Sequence, residues 1–326
     1  MIGYGIVFII LFAASLFLMP KMAKLALKYD FTDKPTERKK HKEPIPLSGG
    51  LAMFITVTVG FALFVIPFNF FIEGIDPSVV AVLAGAVLIV GVGVVDDYSK
   101  SKGVEFPVWP RLLVQIGAAS LAFAFDVRFT GFFNPISGSY VYLPYILQYV
   151  LTVLWFVGLV TAFNFMDGLD GLSGLLALVS GTTFFAVALY MGQPESAILA
   201  VILIAAVGGF LRSNLPPAKV YMGDSGAYLL GFLLAAISLH GAFKQATVVS
   251  LAIPMLVMGV PIFDSVLVVI RRILARKPAH VADSSNITHI HFRLLKEGIK
   301  PGYVVAIIFL ASVCLNLTSI ILMLVF

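Results

Sequence analysis

The sequence predicts an all-α, polytopic integral membrane protein with about ten transmembrane helices, and three observations carry that prediction. The 326 residues are 60% hydrophobic and only 12% charged, with a mean hydropathy of +1.02. A soluble domain cannot keep that composition in solution. Apolar runs long enough to cross a bilayer recur along the whole chain, centred near residues 10, 57, 87, 118, 153, 180, 203, 233, 258 and 313. Sorting the connections between those runs onto alternate sides gives one side eight Lys and Arg in residues 20–46, three in 96–111, two in 212–225 and seven in 271–301. Only Arg128 and Lys244 fall on the other side.

That asymmetry is the positive-inside pattern, which puts the basic connections in the cytoplasm and both termini outside. Residues 1–326 read as a single integral membrane catalytic domain, with cytoplasmic loops at about 20–46, 96–111, 164–171, 212–225 and 271–301. The run Gly3 to Met19 reads as the first span, since no basic residue precedes it and no small-residue cleavage pattern follows. The formal charge of +5 therefore describes basic loops at a lipid surface, which attract anionic head groups and anionic substrates. Nucleic acid is excluded as a partner because the chain has no compact basic domain. Cys314 lies inside the last apolar run and reads as a packing residue. Between Asp126 and Pro144, Gly131, Asn134, Pro135, Gly138, Tyr140 and Tyr142 suggest a loop or small hairpin.

Carboxylates in apolar sequence are costly and usually mark function. Asp96, Asp97, Asp167, Asp170 and Asp224 stand at the cytoplasmic ends of predicted helices, which suggests a cation site at one membrane face. Asp96 and Asp97 end the third run in VVDDYSKSKG; adjacent acids on a helix point about 100° apart and so serve two partners rather than one ion. Lys100 and Lys102 beside them suit a phosphate or an ion pair. In TAFNFMDGLDGLSG, Asn164, Asp167 and Asp170 are spaced by three, and Gly168, Gly171 and Gly174 permit close backbone approach. Asp224 lies in VYMGDSGAYLLGF and, read alone, is also a good helix N-cap. The Gly-x-Ser-x-Gly elbow of serine hydrolases is absent around Ser225. His289 and His291 in HIHFRLLKEG have neither cysteines nor an HExxH helix beside them, so pyrophosphate binding fits them better than zinc. The basic run KPTERKKHKEPIPLSGG, with Lys42, Pro44, Pro46, Gly49 and Gly50, suggests a shaped loop against the membrane face.

These five clusters, in this order and on one side of the membrane, resemble the polyprenyl-phosphate N-acetylhexosamine-1-phosphate transferase superfamily over nearly the whole chain. The carrying motifs are DDYSK at 96–100, NFMDGLDG at 164–171, MGDSG at 222–226 and HIHF at 289–292. KHKEPIPLSGG and HIHFRLL resemble the branch that starts teichoic acid and O-antigen type glycans on undecaprenyl phosphate. The phospho-N-acetylmuramoyl-pentapeptide branch typically carries a Thr-Pro-Thr-Met-Gly-Gly motif and three consecutive histidines, which are absent here. Two departures from the first branch are Phe292 in place of a histidine and Leu47 in place of an arginine.

The resemblance implies a Mg²⁺-dependent transfer of N-acetylglucosamine 1-phosphate from a UDP-sugar donor to a polyprenyl phosphate acceptor, with Mn²⁺ as the alternative ion. It implies Asp224 and Asp167 as metal ligands. Asp96 or Asp97 would act on the lipid phosphate, and His289 and His291 on pyrophosphate. Asn164, Asp170, Lys42 and Lys100 would bind substrate. The expected setting is multi-pass in the cell membrane with a cytoplasmic active site, and a homodimer is allowed. Asp264, inside the ninth run, is open between a structural and a catalytic role. A secondary transporter is the rival from another class, and it predicts acids near the bilayer midplane instead of at one face.

Overall fold

A computed structural model describes residues 2–35, 43–65, 76–134, 137–240, 252–274 and 289–325. Twelve α-helices account for most of the described chain. In order they are α1 (Ile2–Lys28), α2 (Gly49–Gly60, continued by a π-helical turn Phe61–Val65), α3 (Pro77–Ser101), α4 (Val108–Ala124), α5 (Tyr145–Met166), α6 (Leu172–Tyr190), α7 (Pro194–Asn214), α8 (Gly223–His240), α9 (Ala252–Val257), α10 (Gly259–Leu274), α11 (Ile290–Lys296) and α12 (Pro301–Val325). Six of them, α1, α3, α5, α6, α7 and α12, are long and apolar enough to cross a membrane. Helix α2 with its π turn, and α4, are apolar but shorter.

Nine of the ten expected apolar centres lie inside these helices, and the tenth, Met258, falls on the break between α9 and α10. Pro261 explains the break. It has no N–H to give to the Val257 carbonyl one turn back, and an unpaired carbonyl in a lipid-surrounded bundle is costly. Ser180 Oγ of α6 and Asn316 Nδ2 of α12 donate to that carbonyl at 3.1 and 3.2 Å, so neighbouring helices complete what the proline removes. The basic connections are also shorter than expected, because α1 stays helical to Lys28 and α3 to Ser101.

Helix α8 is the centre of the bundle: every residue from Asp224 to His240 is buried. Helices α2, α3 and α5 pack directly around it, and α7, flanked by α1 and α6, also touches it. The approach relies on small residues, as helix packing in membranes does. A Cβ on Gly231 would come within 2.6 Å of the Leu159 carbonyl oxygen and the Val160 Cα of α5. Gly93 of α3 faces the Ser225 backbone, and Gly50 of α2 faces Gly226.

Two small antiparallel ladders complete the fold. β3 (Gly131–Asn134) pairs with β4 (Ser139–Tyr142), Gly131 opposite Tyr142, which makes the 126–144 connection a hairpin. β1 (Thr32–Asp33) pairs with β2 (Ile45–Pro46), and β2 leads into α2.

Substituting Gly231→Ala forces a methyl group onto the α5 backbone, where no side chain can yield. We expect a loss of about 1–3 kcal/mol from overpacking, read as a lower unfolding temperature in detergent. Gly91→Ala, which has open space around its Cα, serves as the control and leaves that temperature unchanged.

Candidate active site

The site forms where the C-terminal ends of α3, α5 and α7 meet the N-terminus of α8. An α-helix begins with backbone N–H groups that lack intrahelical partners. In α8 two of them are satisfied from another helix: Asp97 of α3 accepts the N–H of Asp224 at 2.7 Å and that of Ser225 at 3.0 Å. The turn into α8 needs Gly223, whose φ is +70°, and a Cβ there would come within 2.5 and 2.7 Å of the two Asp97 carboxylate oxygens. Asp97 is 1% exposed. Both of its oxygens are engaged by the backbone that carries Asp224.

Asp96, one residue earlier, points a different way, as the 100° step requires. It is fully buried and accepts Arg111 Nη1 of α4 at 2.8 Å and the Tyr228 hydroxyl of α8 at 3.2 Å. Lys100, one turn along α3, bonds Asp224 Oδ2 and lies 3.9 Å from Asp96 Oδ1. Its ammonium thus sits between carboxylates of two helices. Asp96 Oδ1 is buried and has no hydrogen-bond partner among the described residues. Buried carboxylates demand compensating charge, and this pair takes it from Lys100 and Arg111.

The segment between α5 and α6 supplies the next wall. Asp167, the C-cap of α5, accepts the Ser173 hydroxyl at 2.7 Å. Loss of surrounding water pushes its carboxyl up to about 7; the Ser173 hydroxyl pulls it back, and the nearby charge of Asp224 raises it. Asp170 turns toward the connection between α7 and α8, where it accepts the Ala218 N–H at 2.9 Å. Asn214, at the end of α7, ties the same two segments together: its Oδ1 accepts the Gly171 N–H at 3.0 Å and its Nδ2 donates to the Val220 carbonyl at 2.9 Å. Asn164 lies on α5 about one turn before Asp167 and is half-buried.

The loop before α2 is stitched to the strand-like segment before α8. Tyr221 N–H donates to the Pro46 carbonyl at 2.9 Å, Gly49 N–H to Tyr221 at 3.0 Å and Gly50 N–H to Met222 at 2.9 Å. Leu47 is buried there, its N–H bonded to the Phe31 carbonyl. It packs under the loop instead of reaching toward ligand. Lys42 lies outside the described residues.

The two histidines part company. His289 Nδ1 bonds Asp264 Oδ2 of α10 at 2.5 Å, and Asp264 Oδ1 accepts the Ile290 N–H at 2.7 Å, so one carboxylate both orients the ring and starts α11. The His289 ring packs on Phe165, with centroids 4.5 Å apart. His291 is wholly buried, stacked 5.9 Å from His289 and tilted against Phe292 at 4.1 Å, and among the described residues neither ring nitrogen has a hydrogen-bond partner. Its Nε2 faces Gly168, where any side chain would collide with it. Burial, with His289 adding to it, lowers His291 to about 4.

Asp96, Asp167, Asp224 and Lys100 are thus gathered at one end of the bundle. Asp97 and Asp170 bond backbone amides that shape it, and Asp264 divides its oxygens between the Ile290 N–H and the His289 ring. Sequence reasoning missed Arg111, Tyr228, Asn214 and Ser173. Arg111 sits on the first turn of α4 and Tyr228 on the second turn of α8, within VYMGDSGAYLLGF, but only packing brings them to Asp96.

The family model for glycosyl transferase family 4 matches residues 79–242, from α3 to just past α8. Over 323 residues the chain is 35% identical to the "Probable undecaprenyl-phosphate N-acetylglucosaminyl 1-phosphate transferase" of Bacillus subtilis, an alignment covering 99% of this chain and 86% of the relative. The chain belongs to glycosyl transferase family 4. Further members are the decaprenyl-phosphate N-acetylglucosaminephosphotransferase of Mycobacterium tuberculosis, 33% identical over 85% of this chain and 72% of the relative, and the undecaprenyl-phosphate alpha-N-acetylglucosaminyl 1-phosphate transferase of Escherichia coli K12, 28% identical over 90% and 76%. The family match encloses the two carboxylates of α3, the α5–α6 turn and the start of α8. It ends before Asp264 and the histidines.

Asp97→Asn puts an amide N–H against backbone donors of α8. The expected result is a stability loss of about 1–3 kcal/mol together with lost turnover. Lost turnover with an unchanged unfolding temperature would return Asp97 to a direct role on substrate.

His291 gives a pH signature. Its folded value, about 4, lies below the ordinary 6.5, so the unfolded chain takes up a proton that the folded chain refuses. The contribution is fully present above pH 6.5 and is lost as pH falls toward 4. Wild type should therefore lose unfolding temperature more steeply over this window than His291→Leu.

Proposed function

We propose that this chain transfers N-acetylglucosamine 1-phosphate from UDP-N-acetylglucosamine to undecaprenyl phosphate, releasing UMP and starting a cell-wall or surface glycan of the teichoic acid type. The observation that carries the reading is the fixed group of Asp224, Asp167, Asp96 and Lys100 at the start of α8, in a chain whose relatives carry that activity in their names.

An oxygen of the lipid phosphate attacks the β-phosphorus of the donor, the bond from that phosphorus to the bridging oxygen breaks, and UMP leaves with the bridging oxygen. The acceptor oxygen is already anionic, so bringing two anions together is the main barrier. The donor set fits a hard cation: Asp224 and Asp167 offer carboxylate oxygens only, and the Lys100 ammonium already bonded to Asp224 marks a place that calls for positive charge. Asp224 and Asp167 would hold Mg²⁺, which neutralises phosphate oxygens in phosphoryl transfer and accepts few carboxylates beside them. Mn²⁺, with the same oxygen preference, is the alternative.

Lys100 and Arg111 supply fixed positive charge near the transferring phosphate. Asp96 keeps Arg111 in place from behind. The ring of His289, oriented by Asp264, is turned for the pyrophosphate, while His291 supports the Gly168 turn from below. Asn164 and Asp170 line the nucleotide side, where Asp170 also braces the α7–α8 connection. The charge distribution supports ten spans, a cytoplasmic active site and termini outside. A lipid phosphate at the interface and a cytosolic nucleotide can meet there.

In detergent with undecaprenyl phosphate and UDP-N-acetylglucosamine, UMP release should require Mg²⁺ and fall by about 10²-fold or more in Asp224→Asn. Full turnover in excess chelator would refute the metal role. In a two-donor competition, preference for UDP-N-acetylmuramoyl-pentapeptide would refute the assigned donor.

A further inference from the structure

Helix α1 packs against α7 and α2 along one side. Its rotation is set by α7: Ser15 Oγ donates to the Ala206 carbonyl at 2.9 Å, and Gly209 leaves room for that contact. Met19 and Ala26 are buried on the same side. At 100° per residue, Lys21, Lys24 and Lys28 lie about 140–200° around the helix from Met19, so they form one stripe that points away from the bundle. All three are exposed.

We propose that this lysine stripe is a binding surface for anionic phospholipids in the leaflet at the C-terminal end of α1. No charged residue lies between Ile2 and Pro20, and that stretch of helix rises about 28 Å, close to the roughly 30 Å of a hydrocarbon core. Lys21 therefore stands at the edge of the hydrocarbon. Lys24 and Lys28 follow about 4.5 and 10.5 Å further along the axis. The first two fall within the head-group layer, and the third reaches its outer edge.

The charge on this stripe is open to a partner outside the chain. Other lysines at this end are paired internally: Lys34 with Asp30 at 2.8 Å, Lys102 with the same carboxylate at 3.3 Å, and Lys100 with Asp224. Among the described residues no carboxylate pairs with Lys21, Lys24 or Lys28.

The apolar neighbours select a lipid over a soluble anion. Lys21 Nζ lies 3.7 Å from the centroid of the Phe17 ring, which is 62% exposed, so its charge is held where the apolar part of the helix ends. Leu25 and Leu27 flank the lysines on either side and are 47% and 52% exposed. A nucleic acid or an acidic peptide would leave these side chains in water. A phospholipid covers Phe17 with an acyl chain and sets its phosphate against the ammonium groups, the arrangement in which a lysine stem lies along apolar surface while its head stays polar.

The test uses the full chain in neutral detergent, freed of lipid. Binding of phosphatidylglycerol and of phosphatidylcholine with the same acyl chains is followed by native mass spectrometry. A lysine at an anionic surface is worth about fivefold in affinity, so wild type should bind phosphatidylglycerol about tenfold or more tightly than phosphatidylcholine, and the preference should shrink as salt rises. The triple variant Lys21→Gln, Lys24→Gln, Lys28→Gln should lose about tenfold or more in phosphatidylglycerol affinity and keep its phosphatidylcholine affinity. Lys34→Gln, which removes an ammonium already paired with Asp30, should bind both lipids as wild type does. Should the triple variant fail to fold, Lys24→Gln alone carries the test, with a loss of about fivefold and an unfolding temperature equal to wild type in phosphatidylcholine. Equal affinity of wild type for the two lipids, wild-type phosphatidylglycerol affinity in the lysine-stripe variants, an equal loss in Lys34→Gln, or full competition by glycerol phosphate without acyl chains would each overturn the proposal.

Discussion

The N-terminus of α8 is held by a carboxylate that belongs to another helix, and the remainder of the site is hung from that bond. Asp97 reaches across from α3 to the N–H groups of Asp224 and Ser225. Without such an acceptor two buried donors would be left unpaired, at a cost of about 1–3 kcal/mol each. The bond fixes the depth and rotation of α8 relative to α3. That in turn sets where Asp224, Tyr228 and Asp96 lie with respect to one another.

The glycines make this arrangement reachable. Gly223 lets the chain enter α8 under the Asp97 carboxylate, and Gly93 and Gly50 let α3 and α2 approach the first turn of α8 without side chains between them. Small residues bring backbones close, and close backbones allow a carboxylate to bond the main chain of a neighbouring helix. A polar cap inside a lipid-surrounded bundle is stabilised where its buried backbone donors find acceptors, as those of Asp224 and Ser225 do in Asp97.

The same economy recurs at the other walls. Asp170 and Asn214 join the α5–α6 turn to the α7–α8 connection, and Asp264 starts α11 while orienting His289. These polar residues join segments of the site to one another, while Asp224 is paired with Lys100 and Asp167 with the Ser173 hydroxyl. The side chains of the site are thus pre-set by others behind them, the condition for electrostatic stabilisation without reorganisation.

Composition and charge alone determined the class: runs of apolar residues with basic connections cannot fold as a soluble domain, and nine of the ten apolar centres became helix interiors. The acids at helix ends were equally legible, because a carboxylate beside twenty apolar residues has few bland explanations. Their division of labour was not. Asp96 and Asp97 are neighbours in sequence, yet one faces Arg111 and the other a backbone 127 residues away. Leu47, which stands where the resembled branch often has an arginine, is buried, and so is His291. Sequence fixes which side chains are costly to bury; only the tertiary structure decides which partner relieves each one, since partners are chosen by distance and direction across helices rather than by order along the chain.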